Sequence, residues 1–139
     1  MFVRPCWKPW ETEAALELVA AYPWALLVNN GDEGPFATNL PLMLDRTRGP
    51  HGTLVGHIAR ANDHARVLAA GGAPVLAVFE GPARFVSASW YPNRDMPGTY
   101  YYTAVHFYGR VRVQPEAEVE ASLGSLNGKM EGPIPNGWK

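Results

Sequence analysis

The sequence predicts a mainly β protein, an antiparallel sheet closed into a small β-barrel with peripheral helices. Strand-like runs recur at residues 24–29, 36–44, 53–57, 74–81 and 100–113, and turns separate most of them where crossover helices would otherwise stand. Helical spacing is confined to three short segments, at 12–22, 62–70 and 116–123. The length of 139 residues suits one domain, so 1–139 is read as a single folding unit.

Each element has a local reason. In TEAALELVAAY (12–22), Ala15, Leu18, Val19 and Tyr22 fall on one helical face; Thr12 stands where a cap belongs and Pro23 ends the run. WALLVN (24–29) reads as a buried strand, and NNGDEGP (29–35) as a turn. FATNLPLML (36–44) reads as a strand interrupted by Pro41, which fits an edge or a bulge. A turn at 46–52 leads to the third strand at 53–57. NDHARVLAA (62–70) carries an Asn cap and an acid in its first turn, with Gly71-Gly72 past its end. PVLAVFEG (74–81) is strongly apolar, and 83–87 continues it. After a loop at 95–99 comes YYYTAVHFYGRVRV (100–113), where Val111 and Val113 alternate with Arg110 and Arg112. Residues 116–123 form a weaker helix. The final EGPIPNGWK is rich in turn residues and reads as poorly ordered.

Composition narrows the function classes. Net charge is −1 with no run of like charge, which gives no basic footprint for nucleic acid. Hydrophobic residues at 47% argue against disorder. Cys6, the single cysteine, excludes an internal disulfide and a cysteine-based zinc cluster and fits a reducing, cytoplasmic setting. The N-terminus has no long apolar segment of a secretory leader, and no apolar run reaches the ~18 residues of a membrane span.

The densest chemistry lies in GHIARANDHARVL (56–68), at a strand-to-helix junction. Backbone N–H groups at a helix start suit an anion, Arg60 can grip a phosphate, and His57 and His64 can each add a donor. The same residues also admit a plain reading, in which Asn62 caps a helix and Arg60 and His64 face water. His51, His57, His64 and His106 show no i, i+4 metal spacing, so no metal site is expected. None of Ser87, Ser89, Ser122 and Ser125 sits in a nucleophile elbow, Cys6 has no base beside it, and Asp63 and Glu80 have no evident acid–base partner. Trp90-Tyr91 and Tyr100-Tyr101-Tyr102 bracket one loop. Such rings can pack in a core or wall a planar ligand.

GHIARANDH (56–64), ATNLPLMLD (37–45), FEGPARFVSASWY (79–91) and YTAVHFYGRVRV (102–113) together resemble the FMN-binding negative transcriptional regulators of the PaiB type, within the flavin-reductase-like split-barrel superfamily and related in fold to pyridoxamine-phosphate oxidases. The resemblance runs from residue 1 to about residue 123. It implies a split β-barrel homodimer with FMN in a cleft at the subunit interface. It also implies His57, Arg60 and Asn62 on the flavin phosphate, Ala61 approaching through its backbone, and Thr38 and Asn39 near the ring or ribityl chain. Trp90 and Tyr91 would help close the pocket. The chain departs from the family pattern at Asn39, a usual His, at Tyr100 and Tyr101, usually Trp and Asn, and at Ala88, and it ends before the family's C-terminal segment.

Three functions follow as expectations. One is an FMN-binding protein whose link to DNA rests on family analogy. A second is a small enzyme on the same fold, either flavin-dependent or cofactor-independent, with Tyr100, Tyr101 and His106 as candidate catalytic groups. The third is a haem-binding split barrel using His57, His64 or His106 as axial ligand.

Overall fold

The protein is described here by a computed structural model covering residues 12–138. Cys6 and the N-terminal MFVRPCWKPW lie outside the described residues.

Helix α1 (Thr12–Ala21) turns Leu18 and Val19 inward, and Pro23 follows its end. Four antiparallel strands form one sheet in the order β2-β1-β5-β6. They are β1 (Trp24–Gly31), β2 (Gly34–Pro41), β5 (Pro74–Val86) and β6 (Thr99–Arg110). A separate ribbon joins β3 (Met43–Asp45) to β4 (Thr53–Val55). Helix α2 (Asp63–Ala69) links the ribbon back to the sheet, and α3 (Glu116–Glu131) ends the chain. The expected antiparallel β architecture with peripheral helices is what the chain adopts.

β1 is the spine of the sheet because it is paired on both edges, Leu27 with Thr38 on one side and with Ala77 on the other. Strand alternation sends Ala25, Leu27 and Asn29 inward. Ala25 and Leu27 join Leu18, Val19, Leu40, Leu42, Leu68, Ala77 and Phe79 in the core, with Leu44 and Leu54 of the ribbon packed against it. Phe79 is fully buried and meets Phe107 edge-on at 5.8 Å between ring centroids. The opposite face of the sheet carries Leu26, Val78 and His106 in one row across neighbouring strands, since directly paired residues share a face.

Several boundaries differ from the sequence reading. The turn read at 29–35 narrows to residues 32–33, because the two strands pair all the way to Gly31 and Gly34. The run 36–44 is two strands, not one: Pro41 has no N–H to continue the ladder, and Leu42 leaves it, its N–H donating to the Pro23 carbonyl at 2.9 Å. The third strand stops at Val55, because the next residue must pass close to another chain segment. A Cβ at Gly56 would lie 2.7 Å from the Pro41 carbonyl oxygen and 2.6 Å from Leu42 Cδ2, so only glycine fits. The long run from 100 ends as strand at Arg110, although Val111 N–H still donates to the Ala73 carbonyl at 3.3 Å. α3 reaches Glu131, well past 123. Gly124 and Gly128 weaken its helical signal, and with no buried residue it has no apolar stripe to announce it. The segment 131–138, read as poorly ordered, is held in turns, with Ile134 N–H on the Glu131 carbonyl and Trp138 N–H on Glu131 Oε2 at 3.0 Å.

α1 and α3 are held at the surface partly by charge. Arg46 meets Glu13 with two contacts of 2.6 Å, and Glu118 lies 3.6 Å from Arg48 and 3.4 Å from Arg112. The Arg46 guanidinium holds the Glu13 carboxyl below its ordinary value.

Phe79→Ala is expected to cost about 3–5 kcal/mol of stability, from lost burial plus the cavity left behind. Urea unfolding of the two proteins checks it; a midpoint equal to that of the parent would contradict the core assignment.

Candidate functional site

The loop of residues 57–62 begins at the tight passage of Gly56 past Pro41 and ends at the cap of α2. Its turn is closed by Asn62 N–H on the Ala59 carbonyl at 2.9 Å. Asn62 has extended backbone angles, φ −74 and ψ 130, and its side-chain oxygen accepts from His64 N–H at 2.9 Å, which satisfies one of the orphan donors of the helix start. His57, Arg60 and Ala61 are exposed. Arg60, like Arg84, Arg94 and Arg110, has no acidic partner among the described residues, whereas Arg46, Arg48, Arg66 and Arg112 are each paired. The neighbouring acid, Asp63, is turned to Arg66.

The loop ends beside a residue that faces inward. His64 is 1% exposed. Its Nε2 lies 2.8 Å from Asn29 Oδ1 and its Nδ1 2.8 Å from Thr38 Oγ1, while its ring stacks on Phe36 at 5.6 Å. An amide oxygen only accepts, so Nε2 carries the proton; Nδ1 is then the acceptor for the Thr38 hydroxyl. Both ring nitrogens are spent inside the protein. The expectation that His64 donates to a ligand phosphate, or binds a haem iron, therefore fails, as does the alternative that it faces water. Burial pushes its pKa below the ordinary 6.5 and keeps the ring neutral. Asn29 Nδ2 is buried without a partner among the described residues.

The sequence-predicted residues fall in three places. His57, Arg60, Ala61 and Asn62 share the loop, and Thr38 is joined to it through His64. Asn39 points to the other face of β2, into a groove of about 690 Å³ lined by Trp24, Leu26, Val78, Glu80 and Met130 among others. Trp90 and Tyr91 lie on the connection from β5 to β6, where Ser87 caps a short 3₁₀ turn (Ala88–Trp90) by accepting from Ser89 N–H at 3.1 Å. A bulge between Glu80 and Ala83 precedes the part of the β5–β6 hairpin that carries Tyr100, Tyr101 and Tyr102, all well exposed. Tyr100 sits against Phe85 at 5.5 Å. Burial, and after it the Tyr101 hydroxyl, raise the Tyr91 phenol above the ordinary 10.0.

The catalytic candidates do not converge. Tyr100 and His106 are six residues apart on β6, roughly 20 Å at ~3.4 Å per residue. His106 Nδ1 is buried with no partner among the described residues, and its ring meets Tyr108 edge-on. Among the described residues, no three His, Cys, Asp or Glu side chains gather where a metal ion could be held. None of the described helices is long and apolar enough to cross a membrane.

Sequence reasoning missed Asn29 and the inward role of His64. The signal was present in the alternation of 24–29, which puts Asn29 on the same side as Ala25 and Leu27 and so demands a buried partner for its amide.

Comparison with known proteins bears on the whole chain. Residues 1–139 match the family described as "Putative FMN-binding domain". Protease synthase and sporulation protein PAI 2 of Bacillus subtilis (strain 168) is 30% identical over 131 residues, 94% of this chain and 62% of the relative. The chain thus spans about six tenths of that relative's length. The structure of the FAD and heme binding protein from Mycobacterium smegmatis superposes with a TM-score of 0.70 at 18% identity, over 93% of this chain and 60% of that one. That likeness is one of fold, and it agrees with the split β-barrel expected from the sequence.

Two outcomes are expected here. Asn62→Ala should lower stability by about 1 kcal/mol through loss of the cap. His64 resists protonation when folded and takes a proton near its ordinary value when unfolded. Between those values the unfolded chain binds more protons, so stability falls as pH drops below about 6.5. Measured by urea unfolding, the stability gap between the parent and His64→Phe should narrow from pH 7.5 towards lower pH; a gap independent of pH would contradict it.

Proposed function

This chain belongs to the FMN-binding domain family of PaiB type, and from that premise we propose that it binds FMN, with the flavin phosphate in the loop 57–62. The observation that carries the reading is the Arg60 guanidinium, exposed beside His57 and without an acidic partner among the described residues, with the carboxylate of nearby Asp63 turned to Arg66. A cation with no internal partner, on a backbone already fixed by other bonds, suits a phosphate. Ala61 lets the backbone be approached, and Asn62 keeps its amide nitrogen for the anion while its oxygen caps α2. Bound FMN would supply a ring that takes up or gives electrons; the protein's part is to hold it.

A homodimer follows from where the aromatic residues stand. β2, beside the loop, and β6, which carries the tyrosines, are the two edges of the sheet, three strand spacings or roughly 14 Å apart. One copy therefore offers a phosphate seat at one edge and an aromatic wall at the other. Two copies meeting on the outer face would bring a seat and a wall together around one ring. Trp24 and Tyr108, exposed at 62% and 73%, supply apolar surface for that contact. The groove at Asn39 opens on this same face. Its likeness to a protein named for sporulation and protease synthesis supports a regulatory role, and its single cysteine supports a cytosolic setting. A haem reading is second: the solved structure it resembles is of an FAD and heme binding protein, and His106 Nδ1 lacks a partner.

The absorbance spectrum of the purified protein separates the two cofactors, flavin bands against a Soret band. Arg60→Ala should weaken FMN binding by about ten- to a hundredfold, the loss of one charge-assisted contact. An FMN titration with unchanged affinity would remove the phosphate assignment. Light scattering of the FMN-loaded protein should return a dimer mass, and a monomer would remove the shared cleft.

A further inference from the structure

Thr38 lies on β2 within the stretch that the family resemblance sets beside the flavin, yet its hydroxyl is engaged elsewhere. The Oγ1–H donates to His64 Nδ1 at 2.8 Å, inside the protein. The same imidazole donates from Nε2 to Asn29 Oδ1 at 2.8 Å on the adjacent strand. Its backbone N–H donates to Asn62 Oδ1 at 2.9 Å. One residue thus holds β1, β2 and the end of the loop at once. Phe36 stacks on the ring at 5.6 Å and closes off rotation to that side. Among the described residues, no other group of the loop reaches the sheet by a side-chain hydrogen bond: Arg60 and His57 are exposed, and the loop's internal backbone bond runs from Asn62 to Ala59.

We propose that His64 is the positioning residue of the 57–62 loop, and that Thr38 acts on a bound phosphate through His64 without touching the flavin. The imidazole anchors residue 64 on β1 and β2, its backbone N–H then holds the Asn62 side chain, and Asn62 in turn closes the turn that presents Arg60. A short loop with exposed side chains cannot hold a guanidinium in one place by itself. A buried three-way link removes that freedom before the ligand arrives, which is worth affinity because the ordering cost is already met. Thr38 serves as the donor that keeps Nδ1 satisfied and so fixes the ring's tautomer. Asn29 serves as the acceptor that does the same at Nε2. The inference rests on the reading of this loop as the seat of the flavin phosphate.

The two roles of Thr38 predict different ligand selectivity. A hydroxyl touching ring or ribityl chain would matter equally to FMN and to riboflavin, which lacks the phosphate. A hydroxyl acting through His64 would matter to FMN alone. Thr38→Val keeps shape and removes the donor; Thr38→Ser keeps the donor and removes a methyl group. Affinities for FMN and riboflavin are measured by flavin fluorescence on the full chain, with thermal melts to confirm that each variant is folded. Thr38→Val should bind FMN about tenfold more weakly with riboflavin unchanged, and Thr38→Ser should restore FMN binding to within about twofold of the parent. His64→Phe, which keeps a ring against Phe36, should behave as Thr38→Val does. Equal losses for both ligands, or FMN binding unaffected by Thr38→Val, would overturn the proposal. The seat itself is tested separately by Arg60→Ala. If that variant discriminates FMN from riboflavin as the parent does, the phosphate reading falls; if it loses FMN while Thr38→Val does not, only the positioning role falls.

Discussion

His64 joins two strands through its ring and the loop through its backbone N–H, and among the described residues these three segments share no other side-chain hydrogen bond. Burying it is tolerable only because both nitrogens are satisfied, one by Asn29 and one by Thr38. That constraint reaches outward. Asn29 can serve only if β1 keeps its alternation, with Ala25 and Leu27 facing the same way into the core. Thr38 can serve only if β2 keeps its register, opposite Leu27. A shift of one residue in either strand would turn the polar partner to the wrong face and leave the ring unsatisfied. The apolar core and the polar link therefore specify the same register, one by burial and the other by hydrogen bonding.

The alternation of β2 also separates two chemistries that lie side by side in the sequence. Thr38 and Asn39 are neighbours, yet one faces the buried ring and the other a groove on the far side of the sheet. Read as letters, the pair looks like one ligand contact. Read as a strand, it is a strut on one face and a surface group on the other. The family's usual His at 39 would stand in that groove and not in the loop. The change to Asn there is thus a change to the outer face alone, away from the loop of residues 57–62.

Much of this architecture was legible because each element carried its own local signal. Pro23 and the Gly71-Gly72 pair marked helix ends, and Asn62 marked a helix start. The continuous apolar runs of 24–29 and 74–81 marked the paired centre of the sheet. α3 was legible only in its first half, because its exposed surface and two glycines leave no apolar period to extend. The break at Leu42 was half legible: Pro41 announced an interruption, but not that the next residues would pair with β4. The candidate site divided along the same line. The loop residues stood together in one motif. The partners of His64 lie 35 and 26 positions away, and only the sheet register brings them close. The tyrosines and His106 looked like one cluster because they share a strand, and the length of that strand is what separates them.

Gly56 and Arg60 stand four residues apart on one short loop, and they answer to different kinds of selection. At Gly56 the carbonyl of Pro41 leaves no room for a Cβ of any kind, so tolerance there is decided by architecture before any ligand is present. At Arg60 the side chain is exposed and has no bonded partner among the described residues, so the fold asks little of what stands there. A library of substitutions across these residues, sorted once for soluble expression and once for flavin retention, would return two maps that barely overlap. The first would darken at the hinge of the loop and the second at its tip. Drift in such a lineage would run freely at the tip whenever the ligand was lost, while the hinge stayed fixed, so that a descendant without flavin would still carry the glycine.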